Sequence, residues 1–247
     1  KYKDKKQILK FSSKYKSPSF NSLSRFYQLN KNKTIDLAVI SVPENYHLIT
    51  IKEVFQYYKP KVILCEKPMG TNIANAKSIV NLCNKNQTKL FVNYTRNVDQ
   101  NFNYLIRFCR QNMEGLVRYR KPFLKNASHF LALFRAVFGK ISTIKKNKFS
   151  DYEVRFRHVK LFFKSEKKKN MQNTYKLEND DYKIELKNNF FLISNKKTKK
   201  INVKKGLDKK NNEKVILNIE NYFKKKAHKL VEANIALELW SIMKKIK

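Results

Sequence analysis

Three short, nearly unbroken apolar runs constrain this chain more than any other feature: Leu37-Ala38-Val39-Ile40-Ser41-Val42, Val62-Ile63-Leu64-Cys65 and Leu90-Phe91-Val92-Asn93. A strand with one wet face alternates, whereas a continuous run marks a strand covered on both faces, as in a parallel sheet. Between the first two runs, Leu48, Ile51, Val54, Phe55 and Tyr58 recur at helical spacing. Between the second and third, Ile73, Ala76, Ile79, Val80 and Cys83 do the same, with Thr71 or Asn72 placed to cap the helix start. Strands alternating with helices of this length imply right-handed crossovers and a parallel sheet. Upstream, Lys5 to Lys16 and Leu23 to Leu29 read as helices, so a further strand is expected before Tyr2.

Ligands of an open α/β sheet bind outside the carboxyl ends of its strands. The residues just past those ends are Ser41-Val42-Pro43, Glu66-Lys67-Pro68 and Asn93-Tyr94. Three successive strands thus aim two proline-containing turns and an Asn-Tyr pair, with a carboxylate and an ammonium among them, at one rim.

From Asp151 onward the pattern changes. Tyr152, Val154, Phe156 and His158 alternate with polar neighbours, as do Tyr182, Ile184 and Leu186, and Asn, Asp and Lys clusters separate these runs. Period-2 runs of this kind predict an antiparallel sheet with one wet face. The sheet is expected to be shortened around Gly115 to Lys121. Helices are expected over Asn211 to His228 and Glu232 to Ile246, with Ile235, Leu237, Leu239, Trp240 and Met243 as core residues. The fold class is α/β: a truncated Rossmann-like parallel-sheet domain over 1–112, then an α+β domain with a mostly antiparallel open sheet over 113–247.

Lys and Arg number 55 against 19 Asp and Glu, a formal charge of +36, which invites a polyanion as partner. Only Arg25, Arg96, Arg107, Arg110, Arg118, Arg120, Arg135, Arg155 and Arg157 among the basic residues are arginines, the side chain base-specific readers favour for its bidentate fork. The lysines are spread along the chain beside many asparagines, and the runs Lys167-Lys168-Lys169 and Lys196-Lys197-Thr198-Lys199-Lys200 read as solvated turns. A basic nucleic-acid-binding module is therefore the weaker reading, and no specific nucleic acid is expected. Cys65, Cys83 and Cys109 are odd in number and lack CxxC spacing, so neither a disulfide framework nor a metal site is suggested. No apolar run approaches the ~20 residues that cross a bilayer. A cytoplasmic protein with no membrane partner is expected.

The stretch Asp36 to Arg96 resembles the Gfo/Idh/MocA family of nicotinamide-dependent oxidoreductases. It has a hydrophobic strand ending at Pro43, His47 four residues later, the triplet Glu66-Lys67-Pro68, and Asn93-Tyr94-Thr95-Arg96 one strand on. A second match, Leu124 to Gly139, is similar to the family's asparagine-small-serine-histidine helix, here Asn126-Ala127-Ser128-His129. The resemblance implies a hydride transfer between NAD or NADP and a sugar or sugar-like hydroxyl or ketone. It implies Lys67 and His129 as catalytic and substrate-facing groups, Tyr94 and Asn126 as substrate contacts, and Ser41, Val42, Pro43, His47, Glu66, Asn93 and Arg96 as cofactor contacts. It also implies a homo-oligomer formed through the C-terminal sheet. Glu66 could equally pair with Arg96, and Tyr94 could simply pack.

Two departures from the family pattern stand out. Many relatives carry an aspartate where this chain has Ala132, and some carry one where it has Lys125. With Gly70, Gly115, Gly139 and Gly206 its only glycines, the chain contains no G-x-G-x-x-G turn for a pyrophosphate. The expected explanation is a missing first βα unit; the alternative is a degenerate, non-catalytic relative that serves as a sugar-binding or oligomer scaffold.

Overall fold

A computed structural model describes residues 5–99, 101–109, 112–120, 122–166, 173–187, 190–205 and 211–244. The run Lys167-Lys168-Lys169 lies outside them. Helices α1 (Lys5–Tyr15) and α2 (Leu23–Leu29) lead into strand β1 (Leu37–Ile40), α3 (His47–Tyr57), β2 (Val62–Glu66), α4 (Ile73–Lys85) and β3 (Lys89–Asn93). β1, β2 and β3 pair in parallel, with Ile40 opposite Cys65 and Cys65 opposite Val92. Asn72 caps α4, its side chain accepting from the Asn75 amide at 2.8 Å.

Both faces of this sheet are covered, which explains the continuous apolar runs. Ile63, Cys65 and Val92 join Ile51, Val54, Ala76 and Ile79 on one side, while Val62, Leu64 and Phe91 meet Val215 and Ile219 on the other. Val39 is the departure: β1 ends the sheet among the described strands, and Val39 stays 51% exposed.

After α5 (Phe102–Phe108) come β4 (Met113–Arg120), the short α6 (Phe123–Asn126) and α7 (Ser128–Phe138). Seven further strands follow: β5 (Thr143–Lys146), β6 (Tyr152–Arg155), β7 (Val159–Glu166), β8 (Thr174–Glu178), β9 (Tyr182–Lys187), β10 (Phe190–Asn195) and β11 (Ile201–Lys205). They form an eight-stranded sheet in the order β11-β10-β9-β8-β4-β7-β6-β5, antiparallel except for the β4–β7 pair. Its inner face, with Val117, Leu161, Phe163, Leu177, Ile184 and Phe191, packs against Phe130 and Phe134 of α7. Tyr175 meets both phenylalanines edge to face, at 5.7 and 5.4 Å between ring centres.

The sheet is not shortened at Gly115. β4 runs for eight residues at the middle of the sheet. Gly115 is there because β8 closes on it: a Cβ would stand 2.6 Å from both the Lys176 carbonyl oxygen and the Leu177 side chain.

The chain then returns. α8 (Asn211–Phe223) covers the first sheet, the two-residue β12 (Val231–Glu232) pairs antiparallel with β3, and α9 (Ala233–Lys244) packs on α4 and β3. A boundary at 112/113 thus separates β1–β3 from the second sheet, but β12 and the helices over 211–244 belong spatially with the first. α8 stops at Phe223, short of the expected His228. A run of lysines follows, with Lys225 at φ 54° and the Lys226 amide bonded to the Asn221 carbonyl. His228 beyond it stacks edge-on against Phe91 and Tyr222. No helix among the described residues is long and apolar enough to cross a membrane.

Candidate active site

The site begins with the ends of three parallel strands. β2 delivers Glu66 at its last position and Lys67-Pro68 just beyond, while β3 delivers Asn93 directly beside Glu66. The Asn93 side-chain amide donates to Glu66 Oε1 at 2.6 Å. Glu66 is therefore engaged by Asn93 across the strand pair. Arg96 is held elsewhere: its guanidinium lies 4.3 Å over the Phe130 ring, with Asp99 and Tyr175 close enough to act on it electrostatically. Burial works against its charge, and stacking on an aromatic face compensates in part.

His47 is turned inward. Its imidazole is 1% exposed, with Nε2 2.8 Å from the Val42 carbonyl oxygen, and Nδ1 3.2 Å from the Met69 carbonyl oxygen and 3.4 Å from Cys65 Sγ. The tautomer protonated at Nε2 donates to Val42 and leaves Nδ1 to accept from the Cys65 thiol, an assignment made from the hydrogen-bond network. Burial raises the thiol's pKa and keeps it protonated and able to donate. His47, the expected cofactor contact, thus ties the loop after β1 to Cys65 of β2 and stands against the loop that follows β2. Its position at the first residue of α3, beneath both loops, is what turns the ring inward. Ser41 and Pro43 stay exposed on the rim, with Val42 half-buried between them.

The second half contributes α7. Its second residue, His129, lies against the first half: its ring meets Tyr94 edge-on at 5.8 Å between centres, and Lys67 and Arg96 both act on its charge. Burial, then Lys67, then Arg96, push the His129 pKa down to about 3, so the imidazole is neutral near neutral pH. Its Nδ1 is buried without a hydrogen-bond partner. Asn93 Oδ1, Asn97 Oδ1 and Ser128 Oγ are buried and unpartnered around the same junction. Native interiors rarely leave such atoms unsatisfied, and here they flank the start of α7 and the end of β3.

Two expected substrate contacts are committed to the fold. Tyr94 is 4% exposed and forms a wall for His129. Its hydroxyl is held protonated by burial. The Asn126 amide donates to the Arg120 carbonyl at 2.8 Å, closing the end of β4 before α7 begins. Ala132 is fully buried with no carboxylate to offer the imidazole, and the side chain of Lys125 lies outside the described residues. Trp240, which reads as core in the sequence, carries a further contact: its indole N–H donates to the Gly70 carbonyl at 3.1 Å, behind the Lys67 loop. The signal available was its identity as the single tryptophan, since a buried indole needs an acceptor. Among the described residues, no group of three His, Cys, Asp or Glu side chains is arranged to hold a metal.

A cleft of about 510 Å³ opens elsewhere, at the far end of the second sheet between Arg157-His158 and Asn179-Asp180. It lies at the start of β4, whereas α7 and His129 follow that strand's other end, so it is separate from the Lys67–His129 junction.

Comparison with known proteins bears on the fold and the first half. The structure is similar to the dehydrogenase MviM from Clostridium difficile, with a TM-score of 0.79 and 11% identity over 99% of this chain and 87% of that one. It is similar to UDP-N-acetylglucosamine 3-dehydrogenase from Acidithiobacillus ferrooxidans, with a TM-score of 0.76 and 11% identity over 98% and 86%. It is also similar to a super-repressor mutant of Gal80p from Saccharomyces cerevisiae, with a TM-score of 0.74 and 11% identity over 96% and 83%. At these identities the likeness establishes the fold. No curated protein sequence matches. Residues 2–94 match the family described as an oxidoreductase family with an NAD-binding Rossmann fold. The three parallel strands and the Glu66-Lys67-Pro68 turn at the middle one lie within the stretch that matches this Gfo/Idh/MocA family of NAD-binding oxidoreductases.

Proposed function

We propose that the chain moves a hydride between a nicotinamide cofactor, NAD or NADP, and a hydroxyl or ketone of a sugar-like molecule, with Lys67 and His129 as the catalytic pair. The observation that carries this reading is the junction itself. Lys67 and His129, from separate halves of the chain, lie close enough for the ammonium to act on the imidazole, beside buried polar atoms that lack partners. When bound, the nicotinamide supplies or accepts the hydride. Exposed Ser41 and Pro43, with Val42, Glu66 and Asn93 at neighbouring strand ends, would hold its reactive end. Lys67 would exchange the hydroxyl proton of the substrate. His129, neutral, would accept a hydrogen bond from a substrate hydroxyl at Nδ1 and fix its orientation.

Binding of NADH or NADPH measured by fluorescence, followed by turnover over a panel of sugars, tests the reading. Turnover that disappears in Lys67→Ala supports it; cofactor binding absent at millimolar concentration would sink it. We also propose assembly into homo-oligomers through the outer face of the eight-stranded sheet, where Leu116, Phe162 and Leu192 are only half-buried. Light scattering on the purified chain checks this. Action in the cytoplasm is proposed on the three buried, unpaired cysteines.

A second reading has one observation in its favour: His129 has no carboxylate to orient it, and Ala132 stands where one is expected. A sugar-binding or oligomer scaffold would bind a sugar with no turnover at all, and Lys67→Ala would leave that binding intact.

A further inference from the structure

We propose that α9 is the strut that sets the placement of Lys67 relative to His129, with Trp240 and Glu238 as positioning residues. This rests on the Lys67–His129 reading above, and it adds an element that the family motifs do not touch.

The Lys67 loop is fixed on three sides. Met69, two residues past Lys67, is 1% exposed, with its carbonyl beside the His47 ring. Gly70 sits so close to the start of α4 that a Cβ would stand 2.6 Å from Asn75 Oδ1 and 3.0 Å from the Ala76 amide nitrogen. On the third side Trp240, itself 3% exposed, donates its indole N–H to the Gly70 carbonyl at 3.1 Å. A buried carbonyl deprived of that donor would have to find another partner, so the bond resists displacement of the loop.

α9 also reaches the other half of the site. Glu238, two residues before Trp240, accepts from the Arg135 guanidinium at 3.2 Å, and both side chains are about three-quarters buried. Arg135 lies on α7, the helix whose second residue is His129. α9 packs against α4, β3 and α7. One rigid helix is therefore joined by a directional bond to the loop after Lys67 and by an ion pair to the helix bearing His129. A proton-transferring pair drawn from two sheets needs its spacing set by something that touches both, and small misplacements at such sites cost rate steeply.

Trp240→Phe keeps an aromatic ring and removes the N–H; Glu238→Gln keeps the shape and removes the charge. Both are compared with the parent in the full chain by two readouts. One is the rate of Lys67 acylation by an amine-reactive reagent, relative to Lys61 in the same molecule, by peptide mass spectrometry. The other is kcat and KM separately. Each variant is expected to change the Lys67-to-Lys61 ratio by about threefold or more, and to lower kcat by about tenfold to a hundredfold with KM for the cofactor nearly unchanged. A Lys67 ratio and kcat both unchanged in Trp240→Phe and Glu238→Gln overturn the proposal, even if Lys67→Ala is inactive and the catalytic reading stands. If the parent turns nothing over, the catalytic reading fails on its own account and the acylation ratio still decides whether α9 positions the loop. Should Trp240→Phe not fold, Glu238→Gln carries the test, since it keeps the side chain's volume and leaves the indole bond in place; an unchanged ratio there overturns the proposal.

Discussion

His47 and His129 show how differently two histidines of one chain can be employed. The His47 ring donates from Nε2 to the Val42 carbonyl and accepts from the Cys65 thiol at Nδ1, with the Met69 carbonyl beside it. Replacing it with alanine strands those groups and is expected to lower stability by about 2–4 kcal/mol, read by urea denaturation. His129 has the opposite signature, one buried nitrogen with no partner and a pKa pushed down to about 3. Its folded pKa lies below the unfolded value of 6.5, so the unfolded chain binds the extra proton between those limits. Stability contributed at neutral pH is therefore lost as pH falls from about 6.5 toward 3. Between pH 7 and pH 5 this one group should cost about 2 kcal/mol of unfolding free energy, absent in His129→Phe. Identical slopes in both proteins would show that His129 is not held neutral. The family resemblance singled out both residues in the sequence. It could not tell which imidazole faces backbone and which faces the junction, because that depends on the tertiary neighbours of each ring.

At the scale of elements, patterns that depend on burial were legible and those that depend on partners were not. The three parallel strands were evident as continuous apolar runs, and the Asn72 cap as a residue type at a helix start. β12, with two residues, leaves no periodicity to read and exists because β3 has an edge to cover. Gly115 was misleading: a glycine in a strand suggests weakness, yet it permits β8 to close on the centre of the sheet. Gly115→Ala is expected to cost about 1–3 kcal/mol, because the Cβ meets a backbone carbonyl that cannot swing aside as a side-chain tip could. Gly139→Ala has open space around its Cβ, and its cost should come instead from the positive φ of 85° at the end of α7. Thermal unfolding of the pair separates the two causes: opening space beside Gly115 with Leu177→Ala should make Gly115→Ala cost less in that background than in the parent, and leave the cost of Gly139→Ala unchanged.

At the scale of the whole molecule, composition spoke loudly and decided little. A charge of +36 makes the chain adhere to polyanions, and DNA binding that collapses between about 50 and 200 mM salt is the expected outcome of a retardation assay. The organisation that matters is the return of the chain: two sheets in succession, then a last segment that closes the first. That return bears on how the protein comes into being at the ribosome. β3 emerges early, but its partner Val231-Glu232 and the indole that supports the Lys67 loop are made only after the entire second sheet. The first sheet must wait with one edge bare while more than half of the chain is synthesised. A nascent chain stalled before Val231 should accordingly be digested by protease within the first sheet while the second already resists, so the junction of Lys67 and His129 matures last.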